Sequence, residues 1–269
     1  MKCILWLSVL AIVLSGSTLC SKAQNRLDIR DIRWAQWDGL GNIWVLLAPN
    51  RLEIRDHRGQ LQQAHAFNRL SALTSIDLSN PLEAAVFFKN DGVVLLLDNT
   101  LSVLRRIDWG RRQGFGFSGM CRASQEGFWA YDPSHAQLVR IDNQGMIQER
   151  SNLDAHDAPI PGGSAMALKN VDRSIFVYNT SGGWWQCDAF GNVQDHWRLD
   201  APLSAPFFQR GALCGIHHGE PACFQIKQRQ WFNIPLPEAL DKEHMWKGIH
   251  FYRGKWLAWT DEQLTIIAK

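Results

Sequence analysis

Apolar and polar residues alternate with a period of two along most of the chain, and no stretch of helical periodicity exceeds two turns. One pattern recurs: a short apolar run, a polar turn, a second apolar run, then Asp or Gly. It reads GNIWVLLAPNRLEIRD from Gly41, EAAVFFKNDGVVLLLDN from Glu83 and EGFWAYDPSHAQLVRID from Glu126. It returns as RSIFVYNTSGGWWQCDAFG from Arg173, GALCGIHHGEPACFQIKQ from Gly211 and GKWLAWTDEQLTIIAK from Gly254. Trp44 and Leu257 hold comparable places in the first and last copies. Their separation gives a period of about 43 residues, the spacing of four-stranded propeller blades.

The flanking segments complete each unit. Strand-like runs such as RWAQWD, LTSIDLS, FGFSGMCRAS and SAMALKN precede the hairpins, and LQQAHAF, SVLRRIDW, MIQERSNL and VQDHWRL follow them. The predicted fold is therefore all-β: a six-bladed β-propeller of four-stranded antiparallel blades, occupying residues 24–269 as a single domain. Two stacked sandwiches would also show short strands, but they do not predict six copies at near-constant spacing. The sixth copy ends after its third strand. The unassigned alternating segment at 25–31, NRLDIRD, can supply the missing outer strand. That closure joins the ring and removes an exposed sheet edge.

Residues 1–23 read as a signal peptide. Lys2 gives a positive start, residues 4–14 form an apolar core, and Ser21 and Ala23 occupy the small-residue positions before cleavage. The core is too short for a comfortable membrane span, and Leu19 before Cys20 is the wrong size for lipoprotein processing. The expected location is extracytoplasmic: periplasmic, or secreted and associated with the outer membrane. An oxidising compartment permits disulfides. If His218-Gly219 makes a two-residue hairpin turn, Cys214 and Cys223 fall opposite each other and are predicted to be bridged. Cys121 and Cys187 have no partner that the sequence can assign.

Composition adds to this picture in two ways. The chain carries 28 Lys plus Arg against 26 Asp plus Glu, and two of the basic residues, Lys2 and Lys22, lie in the leader. The remaining chain is neutral, which argues against a nucleic-acid partner, since that needs a net positive field. The 13 Trp are unusual. Trp44, Trp129 and Trp256 recur at equivalent or adjacent strand positions and read as core between blades. Trp34, Trp37, Trp109 and Trp246 fall on inner strands or blade junctions, where they could rim a pocket. Trp184 and Trp185, adjacent in a strand, face opposite sides; one of them could meet a ligand, or, because both faces of a central blade are covered, both could be core.

The stretch Asp38-Gly39-Leu40-Gly41-Asn42-Ile43-Trp44 resembles the D-x-x-G-N-I-W signature of sensor-type propeller repeats, which are similar to NHL repeats. In the third copy it is reduced to Gly127-Phe128-Trp129. The resemblance implies that Asp and Gly make the turn between the first two strands and that Trp packs between blades, a structural role. The stretches SIDLSNPLEAAVFFKNDGVVLLLDNTL and GFWAYDPSHAQLVRID also resemble a group of secreted Bacteroidota propeller proteins. This implies fold and compartment only.

The chain has no G-x-S-x-G, H-E-x-x-H, Walker or G-x-G-x-x-G motif, and no Cys/His spacing suggests zinc. Asp154, His156 and Asp157, in the long connection between the third and fourth copies, are the best candidates for acid/base or metal chemistry. A polar solvated loop explains them more simply. His217 and His218 are expected to point apart, as strand neighbours do. Asp77, Asp98, Asp108, Asp142 and Asp200 sit at strand ends, where turn-forming hydrogen bonds account for them. Arg105-Arg106 and Arg111-Arg112 bracket Trp109, and Trp109, Arg111 and Arg112 form a candidate contact patch. The combined reading is a non-catalytic module that binds an envelope or surface protein, requiring no cofactor and no resident metal. The alternatives are a carbohydrate-binding propeller using Trp184 and Trp185, and a hydrolase or lyase with a metal near His156.

Overall fold

The computed structural model describes residues 24–109, 116–123, 126–153, 166–179, 183–209, 211–234, 236, 237, 240 and 245–267. Residues 1–23, expected from the sequence to be a signal peptide, lie outside them. The described residues form 24 strands in six four-stranded antiparallel sheets, with no helix among them. The chain starts with β1 (Gln24–Asp28) and then builds blade 1 from β2 (Ile32–Trp37), β3 (Ile43–Leu47), β4 (Arg51–Arg55) and β5 (Leu61–Ala66). Blade 2 is β6 (Ser75–Asp77), β7 (Ala84–Phe88), β8 (Val93–Leu97) and β9 (Val103–Asp108). Blade 3 is β10 (Gly119–Arg122), β11 (Phe128–Asp132), β12 (Gln137–Ile141) and β13 (Ile147–Asn152). Blade 4 is β14 (Met166–Val171), β15 (Ser174–Asn179), β16 (Gly183–Cys187) and β17 (Val193–Arg198). Blade 5 is β18 (Ser204–Gln209), β19 (Ala212–His217), β20 (Glu220–Gln225) and β21 (Gln230–Asn233). Blade 6 takes β22 (Gly248–Tyr252), β23 (Lys255–Trp259) and β24 (Gln263–Ile267), and β1 pairs with β24 as its outermost strand. The ring closes as the sequence predicts.

The blades hold together because their middle strands are apolar on both faces. Every residue of β7 and β8 is buried, whereas every residue of the outer strand β5 is exposed. The period of two sends successive side chains to opposite neighbours. Val86 and Phe88 join Trp44, Leu46 and Ile54 of blade 1, while Ala85 and Phe87 join Phe128 and Val139 of blade 3. Each of the six apolar clusters spans one blade junction in this way. A blade alone would leave one or both faces wet, so stacking is what stabilises each copy. A buried Phe or Leu is worth about 1.5–3 kcal/mol over exposure.

The turns follow a local rule. Asp38 accepts the backbone N–H of Leu40 and Asn42 at 2.9 and 2.8 Å, and the Asn42 side-chain amide and Trp44 Nε1 at 3.0 Å each. The bonds to the second and fourth residues onward recur at Asp56, Asp98, Asp142 and Asp188, each between the third and fourth strands of a blade. The fourth position of these turns is left-handed: Gly59, Leu101, Gly145 and Gly191 have φ between 63° and 86°. Asx turns thus set the hairpin register in four successive blades, as expected for Asp98 and Asp142. Gly127 is required for a second reason: a Cβ there would sit 2.1 Å from the Ile141 carbonyl oxygen.

The Cys214–Cys223 disulfide is present, with the two residues directly opposite across β19 and β20 and their Cα atoms 4.0 Å apart. Cys121 and Cys187 are free and buried in the same cluster between blades 3 and 4. Burial pushes the Cys121 thiol far up, and it pushes Cys187 up to about 12, so neither is a ready thiolate.

Candidate functional site

In each blade the first strand lines the central axis. Strand 1 and strand 3 run the same way, so the entries to first strands and the turns between second and third strands share one end of the disk. On that end an axial pocket of about 290 Å³ opens. Its walls come from β2, β6 with the residue before it, β14 and β18, and include Arg33, Trp34, Gln36, Thr74, Ser75, Lys169, Phe207 and Phe208. A shallower groove of about 770 Å³ shares Arg33, Trp34 and Ala205 with the pocket. It continues past Trp246, Lys247, Asp261 and Glu262.

The electrostatics of the axial pocket are one-sided. Its described lining contains Arg33 and Lys169 and no carboxylate. The charge of Lys169 is balanced from below by Asp77, whose carboxylate lies 3.9 Å from Nζ and is almost fully buried. Burial alone would raise the Asp77 pKa. The Lys169 charge outweighs it, together with hydrogen bonds from the Ser79 side chain and the backbone N–H groups of Arg122 and Ser79, and the carboxyl stays below its ordinary value. An ionised, hydrogen-bonded Asp77 therefore holds Lys169 in place, and Arg33 faces solvent with Nη1 on the Pro49 carbonyl at 3.3 Å. His250, buried nearby, is pushed down to about 3 by burial and by the Lys169 charge, and its Nδ1 accepts the Trp37 backbone N–H at 3.3 Å. It is neutral.

A second cluster lies on the same end of the disk, at the edge of blade 5. Asp200, in the connection between β17 and β18, meets His217 Nε2 at 3.1 Å and His218 Nε2 at 3.8 Å. Trp231 donates its indole N–H to Asp200 Oδ1 at 3.1 Å and stacks on His217, with ring centroids 3.8 Å apart and 16° between planes. Burial slightly opposes ionisation of Asp200, but the His217 charge and the hydrogen bonds from backbone and Trp231 hold its carboxyl below the usual value.

This corrects the expectation that His217 and His218 point apart. Alternation holds only while the backbone stays extended, and His218 has φ of 49° at the hairpin turn, followed by Gly219 at 83°. The turn swings the second imidazole onto the side of the first. Asp200 likewise does more than close a turn, and Asp108 is paired with Arg106 at 2.9 Å rather than serving a turn.

The structure also corrects the tryptophan candidates. Trp109, Trp184 and Trp185 are each no more than 2% exposed, so none presents a ring face to a ligand. Trp109 packs edge-on against Phe117 and Phe128 between blades 2 and 3. Trp184 and Trp185 do face opposite sides, but both sides are blade junctions. Trp44, Trp129 and Trp256 are core, as predicted. Of the four that could rim a pocket, Trp34 does, Trp246 lines the neighbouring groove although it is largely buried, and Trp37 and Trp109 are buried. Arg111, Arg112, Asp154, His156 and Asp157 lie outside the described residues. Sequence reading missed Arg33, Gln36, Thr74, Ser75 and Lys169, because on a strand they look like ordinary solvent-facing positions. The phase of the repeat was the available signal: it identifies first strands, and first strands line the axis.

No family model matches this sequence, and neither does any curated protein. Solved structures do match in shape. A catalytically inactive virginiamycin B lyase from Staphylococcus aureus with quinupristin aligns with a TM-score of 0.64 and 12% identity, over 92% of this chain and 99% of that one. A streptogramin B lyase gives 0.60 and 9% identity, over 91% and 97%. A protein of unknown function from Bacteroides caccae gives 0.54 and 10% identity, over 68% and 69%. At such identities the likeness establishes the propeller fold alone.

Proposed function

We propose that this propeller is a secreted, non-catalytic module that binds a protein partner at the cell envelope, through the face that carries the axial pocket. The observation that carries the reading is the pocket's lining: two cations, an accessible indole and several neutral hydrogen-bonding groups, with no carboxylate among the described residues. Such a wall favours a segment that ends in, or presents, a carboxylate, held by Arg33 and packed against Trp34. The groove beside it gives that segment a path off the axis. A rigid closed ring supports such recognition, because the contact residues sit on strands rather than on long loops.

The lyase-like neighbours suggest an alternative in which the same face carries chemistry. That reading needs a base or a metal at the axis. The described lining offers an amine already engaged by Asp77 and no imidazole or carboxylate.

Crosslinking and pull-down from the native envelope test the binding proposal, comparing wild type with Arg33→Glu and Trp34→Ala. The expected result is a stable protein partner whose recovery falls roughly tenfold in either variant, in line with loss of a central contact residue. Failure to recover any partner, or recovery indifferent to both substitutions, would count decisively against it. Binding to an acidic glycan on an array, with no protein captured, would replace the protein partner with the carbohydrate alternative.

A further inference from the structure

We propose that Asp200, His217 and His218 form a site for a zinc-class divalent transition metal on the rim of blade 5, separate from the axial pocket and independent of the binding function assigned to it. The three side chains each offer one ligand atom, and these atoms lie within 4.8 Å of one another. A tetrahedral ion bound at about 2.1 Å separates its ligand atoms by roughly 3.4 Å. His217 Nε2 lies 3.1 Å from Asp200 Oδ1 and His218 Nε2 lies 3.8 Å from Oδ2, so each imidazole stands near that separation from one of the two carboxylate oxygens. Bringing all three ligand atoms onto one ion requires an adjustment at His218, whose side chain is 67% exposed.

The donor set selects the metal. Two imidazoles and one carboxylate suit Zn²⁺ and its neighbours Ni²⁺ and Cu²⁺, and suit Ca²⁺ or Mg²⁺ poorly, because those ions take oxygen. Trp231 supplies the supporting shell. Its N–H on Asp200 Oδ1 fixes the carboxylate, and its ring fixes the plane of His217. The hairpin is rigid at its base, where the Cys214–Cys223 bridge ties the same two strands. With three protein ligands, the fourth position points to solvent past the exposed Asp200 and His218, open to water or to a side chain from another molecule.

Metal-stripped protein titrated with Zn²⁺ in competition with a chromogenic chelator provides the test, with Co²⁺ visible absorption reporting the coordination. The expected result is one Zn²⁺ per chain, with Asp200→Asn and His218→Ala each weakening binding roughly tenfold or more and the circular dichroism unchanged. His218 is an exposed turn residue, so its loss leaves the fold intact. Absence of Zn²⁺ binding would overturn the proposal. So would equal binding by wild type and both variants, which would place the ion elsewhere, for example at His156.

Discussion

Leu27, near the start of the described chain, stands directly opposite Leu264, near its end, across the β1–β24 ladder. Five consecutive residue pairs, from Gln24 with Ile267 to Asp28 with Gln263, join the two ends in register. Ile29 just beyond is buried in the cluster that links blade 6 to blade 1. The ring is thus fastened by backbone hydrogen bonds and by apolar contacts that no single blade could form alone.

Deleting residues 24–31 is therefore expected to lower the melting temperature by ~10 °C or more, given ~2–4 °C per kcal/mol for a domain of this size. The deletion strips β24 of its partner and uncovers Leu264 and Ile266. Differential scanning calorimetry of the two chains decides it. An unchanged transition would mean that the closure is decorative.

Asp38 carries a larger burden than its four neighbours-in-kind. It is buried, and one of its oxygens holds the indole N–H of the buried Trp44. Replacing it with Ala leaves that N–H and two backbone N–H groups without their acceptor, and should destabilise the protein by about 2–4 kcal/mol. Asp56→Ala, at an exposed turn of the same design, should cost well under half as much, because water can replace the lost bonds. Chemical denaturation of the two variants side by side measures the difference.

His250 gives the protein a specific acid sensitivity. Its folded pKa is depressed to about 3 by burial and by Lys169, against about 6.5 in an unfolded chain. Between those values the unfolded state binds a proton that the folded state refuses, so stability rises with pH there. The contribution is complete above pH ~6.5 and is lost progressively as pH falls toward ~3. Most carboxylates remain ionised between pH ~6.5 and ~5, so the change in slope on replacing His250 measures its contribution in that window. His250→Asn, which keeps an acceptor for the Trp37 N–H, should flatten the melting temperature across that window. An unaltered slope would show that His250 takes up its proton as readily in the folded protein as in the unfolded chain.

The chain's one-dimensional pattern determined the architecture. Alternating apolar residues at a constant repeat can bury both faces of a blade only by stacking radially, and a sixth copy lacking one strand calls for the spare alternating segment at the other end. The Cys214–Cys223 bridge was legible for the same reason: strand pairing across a two-residue turn is local and obeys a fixed count. Tertiary structure alone decided which side chains stay wet. Trp184 and Trp185 alternate as predicted, yet a blade has neighbours on both sides, so alternation says which junction a ring enters and not whether it is exposed. The convergence of Arg33, Thr74 and Lys169 on the axis joins residues from three blades, and that of Asp200 with His217 and His218 depends on a left-handed turn residue. Neither follows from spacing along the chain, because both arise from where the closed ring and one reversed φ angle put atoms in space.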